Sequence, residues 1–280
     1  STPLRGSKGK LMLPHNVLAI RLQFNPIAFG TQYLVMRLLY ADDNPDGSGD
    51  LAALGFGEYE ENLFYRLRAV PIGLNIIAGP TGSGKSTTLQ RNMIKLLQEK
   101  NYEINLITVE DPPEYPIPGA RQMPVTNAND EEEKDEQFNK ALSAALRSDP
   151  DVIMVGEIRT PDTASEVLRA ATSGHLVLST IHANNITDAI NSVVKYASST
   201  SMSEELAYDL FSRGMLGVLH QTLNGVERKI PLVSYLFANP DSTKGDQVRG
   251  IIKTGKLNLA TSIETQMTRM ARGKNIFPDL

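Results

Sequence analysis

Gly73-Leu74-Asn75-Ile76-Ile77-Ala78-Gly79-Pro80-Thr81-Gly82-Ser83-Gly84-Lys85-Ser86-Thr87 is the stretch that decides the fold. Its first six residues are a short, mostly apolar run, as expected of a strand covered on both faces. Gly79 to Thr87 then fit the Walker A spacing, and Leu89, Met93, Leu96 and Leu97 follow at helical spacing. Strand, glycine-rich loop and helix in that order form a cradle for phosphates. The glycines let backbone N–H groups turn inward, and the helix points its positive end at the same place. Lys85 supplies a point charge for the β- and γ-phosphates, and the Ser86 hydroxyl can ligate Mg²⁺. Gly79, Pro80, Thr81, Gly82, Ser83, Gly84, Lys85, Ser86 and Thr87 are therefore expected to bind a nucleoside triphosphate.

Outward from this core the pattern repeats. Asn105–Val109, Val152–Val155 and Leu176–Ser179 read as further short strands, and Ala164, Val167, Leu168 and Ala171 mark one face of a helix between the last two. Alternating strands and helices predict an α/β domain with a mainly parallel sheet, which places ligands at the carboxyl ends of its strands. Toward the N-terminus, Val17–Leu22 and Tyr33–Leu39 are rich in strand formers, with Asn25-Pro26 between them read as a turn or break. The polar, Gly- and Pro-bearing stretch Ala41–Asp50 reads as a linker and sets the domain boundary. The run Asp130–Glu136 reads as a solvated loop or a helix start.

Composition narrows the function classes. At 280 residues the chain is about two domains long at roughly 150 residues each. It is 41% hydrophobic and 21% charged, which argues against disorder. With 28 Lys and Arg against 32 Asp and Glu the net charge is −4, which weighs against a general nucleic-acid binder. There is no cysteine, which excludes disulfides, thiolate zinc sites and a cysteine nucleophile. No apolar run approaches the roughly 18–20 residues of a spanning helix. Ser1–Lys8 carry neither an initiator Met nor a signal-peptide core, so the chain reads as soluble and as a piece of a longer polypeptide.

Three more elements lie where strands should end. Glu110-Asp111-Pro112-Pro113-Glu114 brings carboxylates to a strand end, where one can orient or deprotonate water or simply be solvated. Val152–Val155 followed by Gly156-Glu157 is a Walker B arrangement, with Glu157 the acid near Mg²⁺. His175 and His182 flank an apolar strand. His182 lies on the ligand side and can sense a γ-phosphate, and for either histidine a structural role is the alternative. Their spacing does not suit a zinc pair.

Together these elements resemble the secretion-superfamily ATPases, the hexameric motors of type II secretion, type IV pilus assembly and retraction, and conjugation-type secretion. The Walker A, aspartate box, Gly-Glu-ended Walker B and histidine box occur in the family's order. Arg147–Asp151 and Gly174–His182 match especially closely. The resemblance implies a RecA-like P-loop NTPase domain over residues 46–280 with a C-terminal helical region. Residues 1–45 would be the end of a smaller α/β, PAS-like N-terminal domain plus linker. It implies that Glu114 is the water-activating glutamate, Glu157 the Mg²⁺-side acid, and Arg21 and Arg37 arginines that reach a γ-phosphate. It also implies that Arg213–Leu223 belong to a helix around Gln221 and that Ile251–Lys256 are C-terminal helix.

Where the chain departs from the family, the subfamily stays open. The four-cysteine zinc insert of many members is absent, Thr160 stands where an aspartate is common, and no Arg follows Gln221. The expectation is an ATP- and Mg²⁺-dependent hexameric motor for pilus assembly or retraction or type II secretion. It would be cytoplasmic and peripheral at a bacterial inner membrane, working with platform and pilus or secretion components and with no direct nucleic-acid partner. A conjugation-type secretion ATPase is the alternative within the class. A RecA-type nucleic-acid translocase and a P-loop switch without turnover are the alternatives outside it.

Overall fold

The computed structural model describes residues 17–27, 31–40, 49–125, 130–199, 202–225, 230–239, 246–255 and 259–271. Ser1–Lys8, most of the Ala41–Asp50 linker and Lys256 lie outside the described residues. The chain divides into two compact units, Ser1–Asp46 and Gly47–Leu280.

In the first unit, β1 (Val17–Ile27) and β2 (Thr31–Tyr40) pair antiparallel. The expected break at Asn25-Pro26 does not occur. β1 runs through both residues, with Pro26 opposite Gln32. A two-stranded ribbon leaves one edge of each strand unpaired, so a residue without an N–H is tolerated there. Arg21 and Arg37 are direct register partners.

The second unit begins with a 3-10 turn, Ala52–Leu54, and helix α1 (Glu58–Ala69). Gly57 N–H at the start of α1 donates to the Glu60 carboxylate at 2.9 Å. There follow β3 (Gly73–Gly79), α2 (Lys85–Glu99), β4 (Leu106–Glu110), β5 (Arg121–Pro124), α3 (Glu131–Leu146), β6 (Val152–Val155), α4 (Pro161–Thr172) and β7 (Leu176–His182). The unit closes with α5 (Ile186–Ser198), α6 (Glu204–Gly214), β8 (Met215–Asn224), β9 (Ile230–Phe237), α7 (Gln247–Thr254) and α8 (Leu259–Ala271). The acidic run around 130 is a helix start, with the Asp130 side chain capping α3 by accepting from Glu133 N–H.

The sheet has seven strands in the order β5-β4-β6-β7-β3-β8-β9. All neighbours are parallel except β8 and β9. Period-two alternation feeds two cores. Ile77, Met154 and Leu178 face α1 and α2, packing with Phe64, Leu67, Leu89 and Met93. Ile76, Ile153, Val155 and Val177 face the other helices, packing with Phe138, Leu168, Ile190, Phe211 and Ile252. Asn75, buried within β3, is accommodated because its Nδ2 donates to the Leu67 carbonyl at 2.7 Å.

One helix expectation is corrected. Only Arg213 and Gly214 finish a helix, and Met215–Asn224 is strand β8. Met215 and Val218 enter one core while Leu216 and Leu219 enter the other, a two-sided burial that suits a central strand. β9 is an edge strand, and Pro231 sits near its start, where a missing N–H costs little. No helix among the described residues is long and apolar enough to cross a membrane.

Candidate active site

From β3 the chain crosses to β4, returns through β6 and β7, and then passes β3 to reach β8 on its far side. The carboxyl ends of β3, β6 and β7 thus meet at a topological switch point, where open α/β sheets bind ligands.

The loop after β3 is shaped by glycine. Gly79 has φ +154°, and a Cβ there would run into the Gln221 carbonyl oxygen of β8. Gly84, at φ +81°, is the residue before α2, so the helix opens on a left-handed turn that favours glycine. Lys85 is the first residue of α2 and is buried. Its Nζ donates to the Pro80 carbonyl at 2.9 Å, which folds the ammonium back over the loop. Burial pushes the Lys85 pKa down, and the Glu157 carboxylate partly restores it. Ser86, on the next position of the helix, is exposed.

Glu157 sits just past β6 on a turn clamped from both sides. Gly156 N–H donates to the Val109 carbonyl of β4 at 2.9 Å, and Ile158 N–H donates to the Thr180 carbonyl of β7 at 2.9 Å. Thr180 Oγ1 donates back to the Gly156 carbonyl at 2.6 Å. Glu157 Oε1 lies 3.5 Å from His182 Nε2, and His182 Nδ1 lies 3.5 Å from Thr81 Oγ1. His182 therefore bridges the glycine-rich loop and the acid after β6. It is the last residue of β7 rather than one beyond a four-residue strand, in register with Gly79. His175 just precedes the opposite end of the same strand, roughly 23 Å away at about 3.3 Å per residue. Its backbone N–H donates to the Ala170 carbonyl of α4, and its carbonyl accepts from the Gly73 N–H of β3.

The acidic stretch after β4 divides into three environments. Glu110 is half-buried and accepts from Thr108 Oγ1 at 2.6 Å and Gln122 Nε2 at 3.0 Å. Burial pushes its pKa up, those hydrogen bonds oppose the rise, and the Glu114 charge adds to it. Asp111 pairs with Lys134 and Arg159, each at 2.8 Å. Glu114 is exposed, and among the described residues no hydrogen bond or ion pair joins it to Lys85, His182 or Glu157. Arg21 and Arg37 belong to the other unit.

Two residues of β8 complete the surroundings. Gln221 is buried, and its Nε2 donates to the Ser83 carbonyl at 2.6 Å, which pins the glycine-rich loop. His220 is opposite Ala78 in the register. Burial and the Lys85 charge hold its pKa down, against a hydrogen bond to the Ala183 backbone and the Asp188 charge. The sequence signal for both is the alternation of a strand, which is hidden when the segment is read as a helix.

Among the described residues no three His, Asp or Glu side chains form a metal cluster. The available donors are the Ser86 hydroxyl and the Glu157 carboxylate. Such a sparse oxygen set fits Mg²⁺, which keeps waters and substrate phosphates as ligands rather than an all-protein cage.

The family model described as type II/IV secretion system protein matches residues 5–228. Type II secretion system protein E of Pseudomonas aeruginosa is 40% identical over 204 residues, 73% of this chain and 37% of that protein. The type IV pilus assembly ATPase PilB of the same organism is 38% identical over 170 residues, 61% of this chain and 28% of PilB. The chain thus spans about a third of the length of these curated relatives. Among solved structures, the pilus retraction motor PilT with bound ADP superposes with a TM-score of 0.61 at 25% identity, covering 92% of this chain and 74% of PilT. The Legionella pneumophila ATPase DotB gives 0.68 at 21% identity, covering 93% and 70%, a likeness of fold.

Proposed function

Because the chain belongs to the type II/IV secretion system protein family, we propose that it is the ATP-hydrolysing part of a secretion or pilus motor. The observation that carries this reading is the convergence of Lys85, Thr81, His182 and Glu157 at three strand ends. The glycine-rich loop takes the phosphates of ATP on its backbone N–H groups. Lys85 exchanges its neutral carbonyl partner for phosphate oxygens, to which a cation is more strongly bound. Ser86 and Glu157 hold Mg²⁺, which neutralises phosphate charge in the transition state. His182 hydrogen-bonds the γ-phosphate, and Glu114 takes the proton of the attacking water.

The unit Ser1–Asp46, read as the end of a PAS-like domain, contributes Arg21 and Arg37 to the developing charge. Such arginines are worth about 10³–10⁵ in rate. Their action needs the small unit to close over a P-loop unit, its own or a neighbour's, and the working form proposed from the family resemblance is a homo-oligomeric ring, a hexamer. It acts in the cytoplasm at a bacterial inner membrane, with the platform of a pilus or type II secretion machine.

The reading is tested by separating binding from chemistry. Lys85→Ala is expected to lose ATP binding. Glu114→Gln is expected to bind ATP as the parent does and to lose turnover by about 10²–10⁴, the scale of general-base catalysis. Near-parent hydrolysis by Glu114→Gln would remove that residue from the base role.

A further inference from the structure

We propose that Gln122 of β5 is a positioning residue that fixes the Glu114 carboxylate for its work on the attacking water. The inference rests on the reading of Glu114 as the water-activating base. Residues 111–120, which join β4 to β5, include Pro112, Pro113, Pro116 and Pro118. A proline has no backbone N–H, so such a loop can satisfy few of its own carbonyls, and side chains must donate in their place.

Gln122 supplies much of what the loop lacks. Its Nε2 donates to the Glu110 carboxylate at 3.0 Å and to the Tyr115 carbonyl at 3.0 Å. Its Oε1 accepts from Ile117 N–H at 2.8 Å. One amide thus grips the strand end before the loop and the backbone on both sides of Pro116. Gln90 of α2, itself buried, donates to the Pro116 carbonyl at 3.3 Å. On the other side of Glu114, Asp111 is held by Lys134 and Arg159 at 2.8 Å each. Pro112 and Pro113 fix φ at the two positions between Asp111 and Glu114. Glu114 is therefore carried, exposed, between two anchored points, Asp111 before it and Tyr115 after it.

If Gln122 acts through Glu114, its loss should misplace the base and leave phosphate binding alone, because none of its three hydrogen bonds reaches residues 79–87. Gln122→Met keeps the bulk of the side chain and removes its donors and acceptor. In the full chain with Mg²⁺ it is expected to slow ATP turnover about ten- to a hundredfold, the scale of a displacement of about 1 Å, while the Kd for ATP stays within about twofold. In a Glu114→Gln background the same change should cost nothing further, since the group it positions is already gone.

Equal losses of ATP affinity and turnover, or a full further loss in the Glu114→Gln background, would mark a merely structural role and overturn the inference. Should Gln122→Met not fold, Gln122→Glu decides. It keeps the acceptor for Ile117 N–H and loses both amide donors, and it must show the same split between turnover and binding. If Glu114→Gln itself turns over ATP like the parent, the base reading has failed and the inference falls with it. If Glu114→Gln is inactive while Gln122→Met works like the parent, only the positioning role of Gln122 has failed.

Discussion

Glu110 and Glu157 are both acids at strand ends, and the fold treats them oppositely. Glu157 is more than a third exposed and faces His182, whereas Glu110 is half-buried under hydrogen bonds from Thr108 and Gln122. A carboxyl whose pKa is raised by folding binds its proton more tightly folded than unfolded. Glu110 therefore contributes stability below the ordinary carboxylate range, and that contribution is lost as pH rises through its raised folded value. Glu110→Gln keeps an acceptor for both donors and removes the charge, so it should melt higher than the parent at pH 8 and lose that advantage at pH 4. Thermal melts at the two pH values check this. For Glu157 the expectation concerns metal. Glu157→Gln should raise the Mg²⁺ concentration needed for half-maximal ATP turnover about tenfold, with affinity for metal-free ATP little changed, as titration of each ligand would show. Glu157 and His182 were legible because each closes a local strand pattern, and Lys85 because the glycine spacing between β3 and α2 marks it. Gln221 touches Ser83 across 138 residues, and no window around the glycine-rich loop contains it.

Thr160 shows how a residue choice is settled by its element. It precedes Pro161, which opens α4, and its Oγ1 accepts from Thr163 N–H at 3.3 Å. An aspartate there would cap the helix about as well, so the departure of this chain from the more usual Asp keeps the function of the position. Thr160→Ala should lower stability by about 1 kcal/mol, and Thr160→Asp should leave it within about 0.5 kcal/mol, measured by chemical denaturation. The α4 face Ala164, Val167, Leu168 and Ala171 was legible from its spacing, and all four are buried. β8 was not, because a short apolar run such as Met215-Leu216-Gly217-Val218-Leu219 carries no period that separates a buried strand from a helix. Its sheet partners β3 and β9 settle the matter, and both are distant or downstream in sequence. The Asn25-Pro26 signal failed for a related reason. Proline breaks a central strand, while among the described residues β1 pairs with β2 alone, and its other edge spares the proline.

At the scale of the whole molecule, the α/β class and the parallel sheet followed from alternating strands and helices around the glycine-rich loop. The one antiparallel addition, β9, carried no such signal. The boundary between the two units, after Asp46, falls within the linker stretch, with Arg21 and Arg37 register partners in the first unit and the glycine-rich loop in the second. In the proposed motor, ATP favours closure because its γ-phosphate gives the arginines a partner, and ADP, which lacks that group, releases them. Arg37→Ala should therefore slow turnover far more than it weakens ATP binding. In the proposed motor hydrolysis belongs to the assembly of chains, so Mg²⁺-ATP turnover per chain is to be followed over a dilution series, with oligomeric state read by light scattering. Turnover per chain should fall steeply as the assembly dissociates and be nearly absent in the monomer. A dilute, demonstrably monomeric sample hydrolysing ATP at the same rate per chain would contradict it.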